Sequence, residues 1–118
     1  MTLKLRVRDH SGAMVVSATG VADERVLLLM REAVARAALN ADLVVLELDE
    51  LTLVDVGRLR ELLTSVNGAP RRASLRVVAR RTSALALLVR WRIHHLVPVH
   101  RSVEDAIATQ RMTRGRLH

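Results

Sequence analysis

Cysteine, phenylalanine and tyrosine are missing from the 118 residues, and Trp91 is the only aromatic side chain. The absence of cysteine excludes disulfides, thiol nucleophiles and cysteine-ligated metals, and it suits a reducing compartment. With Trp91 alone among Phe, Tyr and Trp, the core falls to Leu, Val, Ala, Ile and Met, and any site built on stacking platforms is disfavoured. Glycine is sparse too: Gly12, Gly20, Gly57, Gly68 and Gly115 are scattered and form neither a dinucleotide nor a Walker spacing. Cofactor enzymes of those types are thereby disfavoured, and no cofactor is expected. No apolar run approaches the length of a membrane span. The opening Met1-Thr2-Leu3-Lys4-Leu5-Arg6 alternates charge with hydrophobe, unlike an export signal. A soluble, cytoplasmic protein that does not insert in a membrane is the expectation.

What is present is 50% hydrophobic residues, enough to bury one core in a chain too short for two domains. The formal charge of +7 comes from arginine, Lys4 being the only lysine, and Arg111, Arg114 and Arg116 all fall in the last eight residues. Arginine used in this lopsided way, without interleaved aromatics, does not make nucleic acid the default partner. One domain over residues 1–111 and a basic, disordered tail over 112–118 are predicted.

Alternation of Leu3, Leu5 and Val7 with Lys4, Arg6 and Arg8 marks a half-buried edge strand. A turn at His10-Ser11-Gly12 leads to an antiparallel strand over residues 14–19. Asp23 is placed to cap a helix running to about Leu39, with Val26, Met30, Ala33, Val34 and Ala37 on one face. Leu43-Val44-Val45-Leu46 is apolar without alternation, as a central strand covered on both sides should be. Asp55 is a second candidate cap, before a helix carrying Val56, Leu59, Leu62, Leu63 and Val66 at helical spacing, and Asn67-Gly68-Ala69-Pro70 ends it. A strand over Leu75–Ala79 follows, then a helix opened by Thr82 or Ser83 with Ala84, Leu87, Leu88 and Trp91 sharing a face. A short edge strand at Leu96-Val97-Pro98-Val99 comes next, and then a helix from Ser102 to about Arg111, opened by a capping box. The order ββαβαβαβα predicts an α/β fold with a mainly parallel sheet and right-handed crossovers.

Few residues invite chemistry. Asp49, Glu50 and Asp55 bracket the turn after the central strand, where open α/β sheets hold ligands, but a cap and a solvated turn account for them more simply. His94 and His95 are adjacent and His100 lies six positions beyond His94. That is not the one-turn spacing of paired metal ligands, and solvated loop histidines are expected. No serine sits in a nucleophile elbow. Trp91, on the apolar face of its helix, is expected to lie over the core as a lid. The chain is predicted not to be an enzyme.

The segment Leu51-Thr52-Leu53-Val54-Asp55-Val56-Gly57-Arg58-Leu59 resembles the signature of STAS domains, in which a strand and loop lead to D-S-S-G-L or D-S-x-G-L at a helix start. Gly20-Val21-Ala22-Asp23 resembles the family's G-x-L-D after the second strand, and the later strands and helices follow the family's order. The resemblance implies a module that docks on a kinase-like anti-sigma factor, with the loop before the second helix at the contact and serine phosphorylation abolishing binding. Here Val56 occupies the place of the phosphorylated serine, Gly57 that of the second serine, and Arg58 that of the usual glycine. Valine has no hydroxyl to accept a phosphoryl group. What the resemblance implies is therefore an anti-sigma factor antagonist-like regulator that this serine cannot switch. Asp23, Asp55, Val56, Gly57 and Arg58 would be its partner-binding residues, and Val56 would add a hydrophobic contact. Asp55-Val56-Gly57 also resembles the D-x-G of STAS subunits in ABC-type lipid transporters, whose partner is an ATPase, and that alternative stays open, as does a homodimer.

Overall fold

The computed structural model describes residues 4–21, 23–49, 51–52, 56–68 and 73–116, with side chains at all of these except 4, 51, 68 and 110–116. Two antiparallel strands, β1 (Lys4–His10) and β2 (Ala13–Val21), form the opening hairpin, with Arg6 opposite Ser17 and His10 opposite Ala13. The turn between them places Ser11 and Gly12 at positive φ, and the Gly12 amide donates to Asp9 Oδ1 at 3.2 Å. The remaining elements are α1 (Glu24–Ala37), β3 (Leu43–Glu47), β4 (Leu51–Thr52), α2 (Val56–Gly68), β5 (Ser74–Val78), α3 (Thr82–Arg90), β6 (Val99–His100) and α4 (Val103–Arg116). A single turn of 3-10 helix at Ile93–His95 precedes β6. The sheet runs β1-β2-β3-β5-β6, parallel throughout except for the hairpin, and β4 pairs in parallel with the end of β2.

Strand parity divides the interior into two cores. Val16, Ala18, Val44, Leu46, Leu48, Leu75, Val77 and Ala79 face one side, against Val26, Met30 and Val34 of α1, Leu59, Leu63 and Val66 of α2, and Ala84 and Leu88 of α3. The alternate positions Ala13, Val15, Leu43, Val45 and Val78 face the other side, where Val103, Ala106 and Ile107 of α4 cover them. Covering on both faces is why β3 is apolar from Leu43 through Leu46. The α2 positions expected inside, from Val56 to Val66, are all buried.

Several expectations are corrected. Helix α1 stops at Ala37, because the amides of Leu39 and Asn40 bond to the carbonyls of Arg36 and Ala37 three residues back, which tightens and ends the last turn. The last strand begins at Val99, since the 3-10 turn and the bond from the Val97 amide to the Ile93 carbonyl occupy the residues before it. Pro98 cannot donate, yet its carbonyl accepts from the Val77 amide at 2.9 Å, which keeps it at the sheet edge. Trp91 is no lid: it is 45% exposed, because α3 ends at Arg90 and Ile93 fills the interior in its place. Val7 is also largely exposed, as befits an edge strand with one neighbour. Helix α4 extends to Arg116, past the expected end near Arg111.

Candidate functional site

The parallel pairing of β2 with β4, Gly20 opposite Leu51 and Val21 opposite Thr52, holds the exits of two loops side by side. From one exit α1 begins, and from the other α2. Gly20 sits at φ 112°, a backbone that side chains with a Cβ rarely adopt, so glycine is required where β2 turns toward α1. Asp23 then caps α1 as expected. Its Oδ1 accepts from the Val26 amide at 2.9 Å, and its carbonyl accepts from the Leu27 amide at 3.0 Å.

At the head of α2 the expected residues separate by exposure. Val56 opens the helix and is 5% exposed, so its methyls pack inward. The expectation that Val56 offers a hydrophobic contact to a partner is corrected to this extent: an apolar side chain at the first position of an amphipathic helix is drawn into the core. Gly57 is half-buried and Arg58 is exposed. Arg58 reaches across to α1, where its Nη1 lies 3.4 Å from Glu24 Oε1. Both partners are well solvated, so this ion pair contributes little to stability, about 0–1 kcal/mol. Leu53, Val54 and Asp55 lie outside the described residues, and with them the capping role expected of Asp55. Asp23 and Arg58 are thus brought to neighbouring helix starts, joined through the Glu24–Arg58 pair.

Between α1 and α2 runs a groove of about 210 Å³ lined in part by Glu24, Leu28, Arg31, Arg58 and Glu61, with Leu28 exposed. Sequence reasoning missed this surface. Leu28 lies beside the buried Leu27 in the chain, and only the placing of α2 shows that it stays uncovered.

A second depression, of about 600 Å³, opens on the α4 side at the carboxyl ends of β3 and β5, among Arg8, Glu47, Asp49, Arg80, Arg81 and Glu104. Several of its charged groups already have partners, side-chain or backbone. Arg8 Nη2 lies 3.7 Å from Glu47 Oε2, and Asp49 Oδ1 accepts from the amides of Arg80 at 2.6 Å and Arg81 at 3.2 Å. Asp49 is therefore not merely part of a solvated turn. It ties the end of the central strand to the start of α3, and neither Thr82 nor Ser83 caps that helix, whose capping position is Arg81.

His94 and His95 are exposed, as expected, but His100 is not a solvated loop residue. It lies on β6, half-buried, with Nε2 2.9 Å from Nη1 of Arg76. Arg76 itself is 8% exposed on β5. A guanidinium can only donate, so Nε2 must be the bare, accepting nitrogen and the imidazole is neutral with its proton on Nδ1. Burial first, and then the adjacent Arg76, pull the His100 pKa below its ordinary value, against a smaller upward pull from Asp105. Burial likewise lowers that of Arg76. Among the described residues no group of three or more His, Asp or Glu side chains is arranged to hold a metal ion, and no helix is long and apolar enough to cross a membrane.

No protein-family model matches the sequence, and no curated protein matches it. Among solved structures, the crystal structure of an anti-sigma factor antagonist from Mycobacterium paratuberculosis superposes with a TM-score of 0.78. The match covers 93% of this chain and 95% of that one at 20% sequence identity. The chain accordingly has the STAS-type α/β fold of that anti-sigma factor antagonist.

Proposed function

We propose that this protein is a non-enzymatic regulator of the anti-sigma factor antagonist kind, acting in the cytoplasm and docking on a kinase-like anti-sigma factor through the neighbouring starts of α1 and α2. The observation that carries the reading is valine at the first position of α2, on a scaffold that superposes over 93% of the chain on an anti-sigma factor antagonist. A phosphoryl group at a helix start would set a double negative charge among the residues that dock. With no hydroxyl at Val56, that switch is lost and docking is constitutive. Exposed Arg58, its partner Glu24 and the cap Asp23 are the surface features of the contact, while Val56 acts by holding the helix start in place.

The test is a titration of the full chain against a kinase-like anti-sigma factor with ATP present, followed by intact-mass measurement. A stable complex and no added phosphoryl group are expected. Because Val56 is buried, an acidic residue there would test folding before docking, so the informative variant is Arg58→Glu. It should weaken the complex at least about tenfold, while thermal stability stays within about 1 kcal/mol, as for other exposed ion pairs. Stoichiometric phosphate on Thr52 or Ser65 would show that the switch has moved. Capture of a transporter ATPase in place of the anti-sigma factor would favour the alternative partner implied by Asp55-Val56-Gly57.

A further inference from the structure

Charge is unevenly distributed along this chain. Residues 62–103 contain eight arginines and three histidines, with no Asp or Glu. This stretch runs from the second half of α2 through β5, α3, the 3-10 turn and β6, the last two strands at one edge of the sheet. Within it, the segment that closes α3 projects Val89, 58% exposed, and Trp91, together with exposed Arg90, Arg92, His94 and His95. The segment is not loose. Leu88 before it and Ile93 within it are fully buried, so the turn is pinned at both ends.

Its backbone carries a second sign. Arg92 sits at φ 57° and ψ 33°, the left-handed conformation that follows a helix end, and the amides of Trp91 and Arg92 bond to the carbonyls of Leu87 and Val89, each at 3.0 Å. Glycine is the favoured residue there, because a Cβ is crowded in that conformation. An arginine in a conformation that favours glycine is a backbone outlier, and such outliers point to a use for the side chain.

We propose that the α3 end of the domain is a peripheral docking surface for the anionic headgroup layer of a lipid bilayer, separate from the surface formed by α1 and α2. The exposed apolar groups are two single side chains with Arg90 between them, standing on the end of a helix and belonging to neither of the depressions described above. A protein interface is built around a contiguous packed centre, which two such side chains do not form. Single-stranded nucleic acid is gripped by successive flat rings, whereas this surface has one indole, and its other two rings, His94 and His95, meet edge to face at 73° with centroids 4.3 Å apart. A bilayer surface accepts protruding groups singly: the indole settles at the boundary of headgroup and acyl chain, and guanidinium groups on either side meet lipid phosphates. Asp42 at the head of β3 shares this end of the sheet, but β5 stands between it and β6.

Trp91 is the sole aromatic residue, so its fluorescence reports on this site alone. The full chain is mixed with vesicles of phosphatidylcholine, with and without phosphatidylglycerol, and both emission and co-sedimentation are followed. A blue shift and sedimentation with the anionic vesicles are expected, at least about tenfold stronger than with phosphatidylcholine alone and reduced by added salt. Arg92→Gly separates use from fold. It relieves the left-handed strain, so its melting temperature should equal or exceed that of the parent, while its vesicle partitioning should fall about fivefold. No shift with anionic vesicles, or unchanged partitioning of Arg92→Gly, overturns the proposal. So does an equal shift with duplex DNA at the same salt, which would mark a general polyanion surface. None of these outcomes depends on whether an anti-sigma factor binds.

Discussion

A guanidinium inside a strand has to find its solvation among its neighbours. Arg76 finds part of it in His100, whose Nε2 accepts its proton only while the ring is neutral. Protonating His100 would remove that acceptor and set two cations against each other beneath α4, and the lowered His100 pKa has the same physical origin. The consequence for stability has a definite sign. The unfolded chain takes up the proton at about pH 6.5, more readily than the folded one, so the stabilisation from neutral His100 is complete above that pH. It is lost progressively as pH falls through 6.5 toward the lower folded value. Urea unfolding at a series of pH values should show this loss, and His100→Asn should reduce its pH dependence relative to the parent. An identical acid-side slope in the two proteins would exclude His100 as its source. Neither residue could be assigned this role in advance, because a basic side chain in an apolar strand pattern and a histidine near a proline have no stated relation until β5 and β6 are paired.

Among the elements, the helices differ in how they begin. For α1 the signal was local: Asp23 three residues before Val26 is the spacing of a side-chain cap, and the bond is formed. Ser102 likewise accepts from the Asp105 amide at 3.0 Å to start α4. In contrast, α3 is anchored by Asp49, more than thirty residues earlier in the chain, which accepts from the amides of Arg80 and Arg81. No local pattern announces such a contact. Replacing the cap of α1 is the clean test, since it touches one free amide: Asp23→Ala should lower the unfolding free energy by about 1 kcal/mol. A thermal or urea melt within error of the parent would mean that water replaces the cap without loss. If Asp23 also meets the partner, as proposed, its affinity should fall by more than this small destabilisation explains.

For the molecule as a whole, stability rests on two unequal cores. Three helices, α1, α2 and α3, cover one face of the sheet, and α4 alone covers the other. Leu46, fully buried on β3 at the centre of the larger core, is the position where a cavity should hurt most. Leu46→Ala should cost about 2–5 kcal/mol in urea unfolding, a large share of the roughly 5–15 kcal/mol available to a domain of this size. A smaller loss would mean that the surrounding helices close the gap. At this scale the two proposals fall on separate parts of the molecule: the starts of α1 and α2 for a protein partner, and the arginine-flanked Trp91 for an anionic surface. The former can be altered through Arg58 and the latter through Arg92, so the two roles can be removed separately.

Periodicity and turn residues in the chain were enough to establish the α/β class, the element order and most of the buried positions, since those depend on spacing within ten or fifteen residues. The resemblance carried by Asp23, Asp55 and Leu59 was legible for the same reason, being a matter of neighbours in sequence, as was the departure from it at Val56. Exposure was another matter. Val56 goes inward as its helical spacing suggested, against the partner contact that the resemblance implied, and Trp91 goes outward against its spacing, because a residue at the end of a helix is buried or exposed by whatever packs beyond the last turn. The groove beside Leu28, the Asp49 tie and the Arg76–His100 bond belong to the tertiary structure alone, for each joins residues from separate elements that only chain crossovers bring within reach.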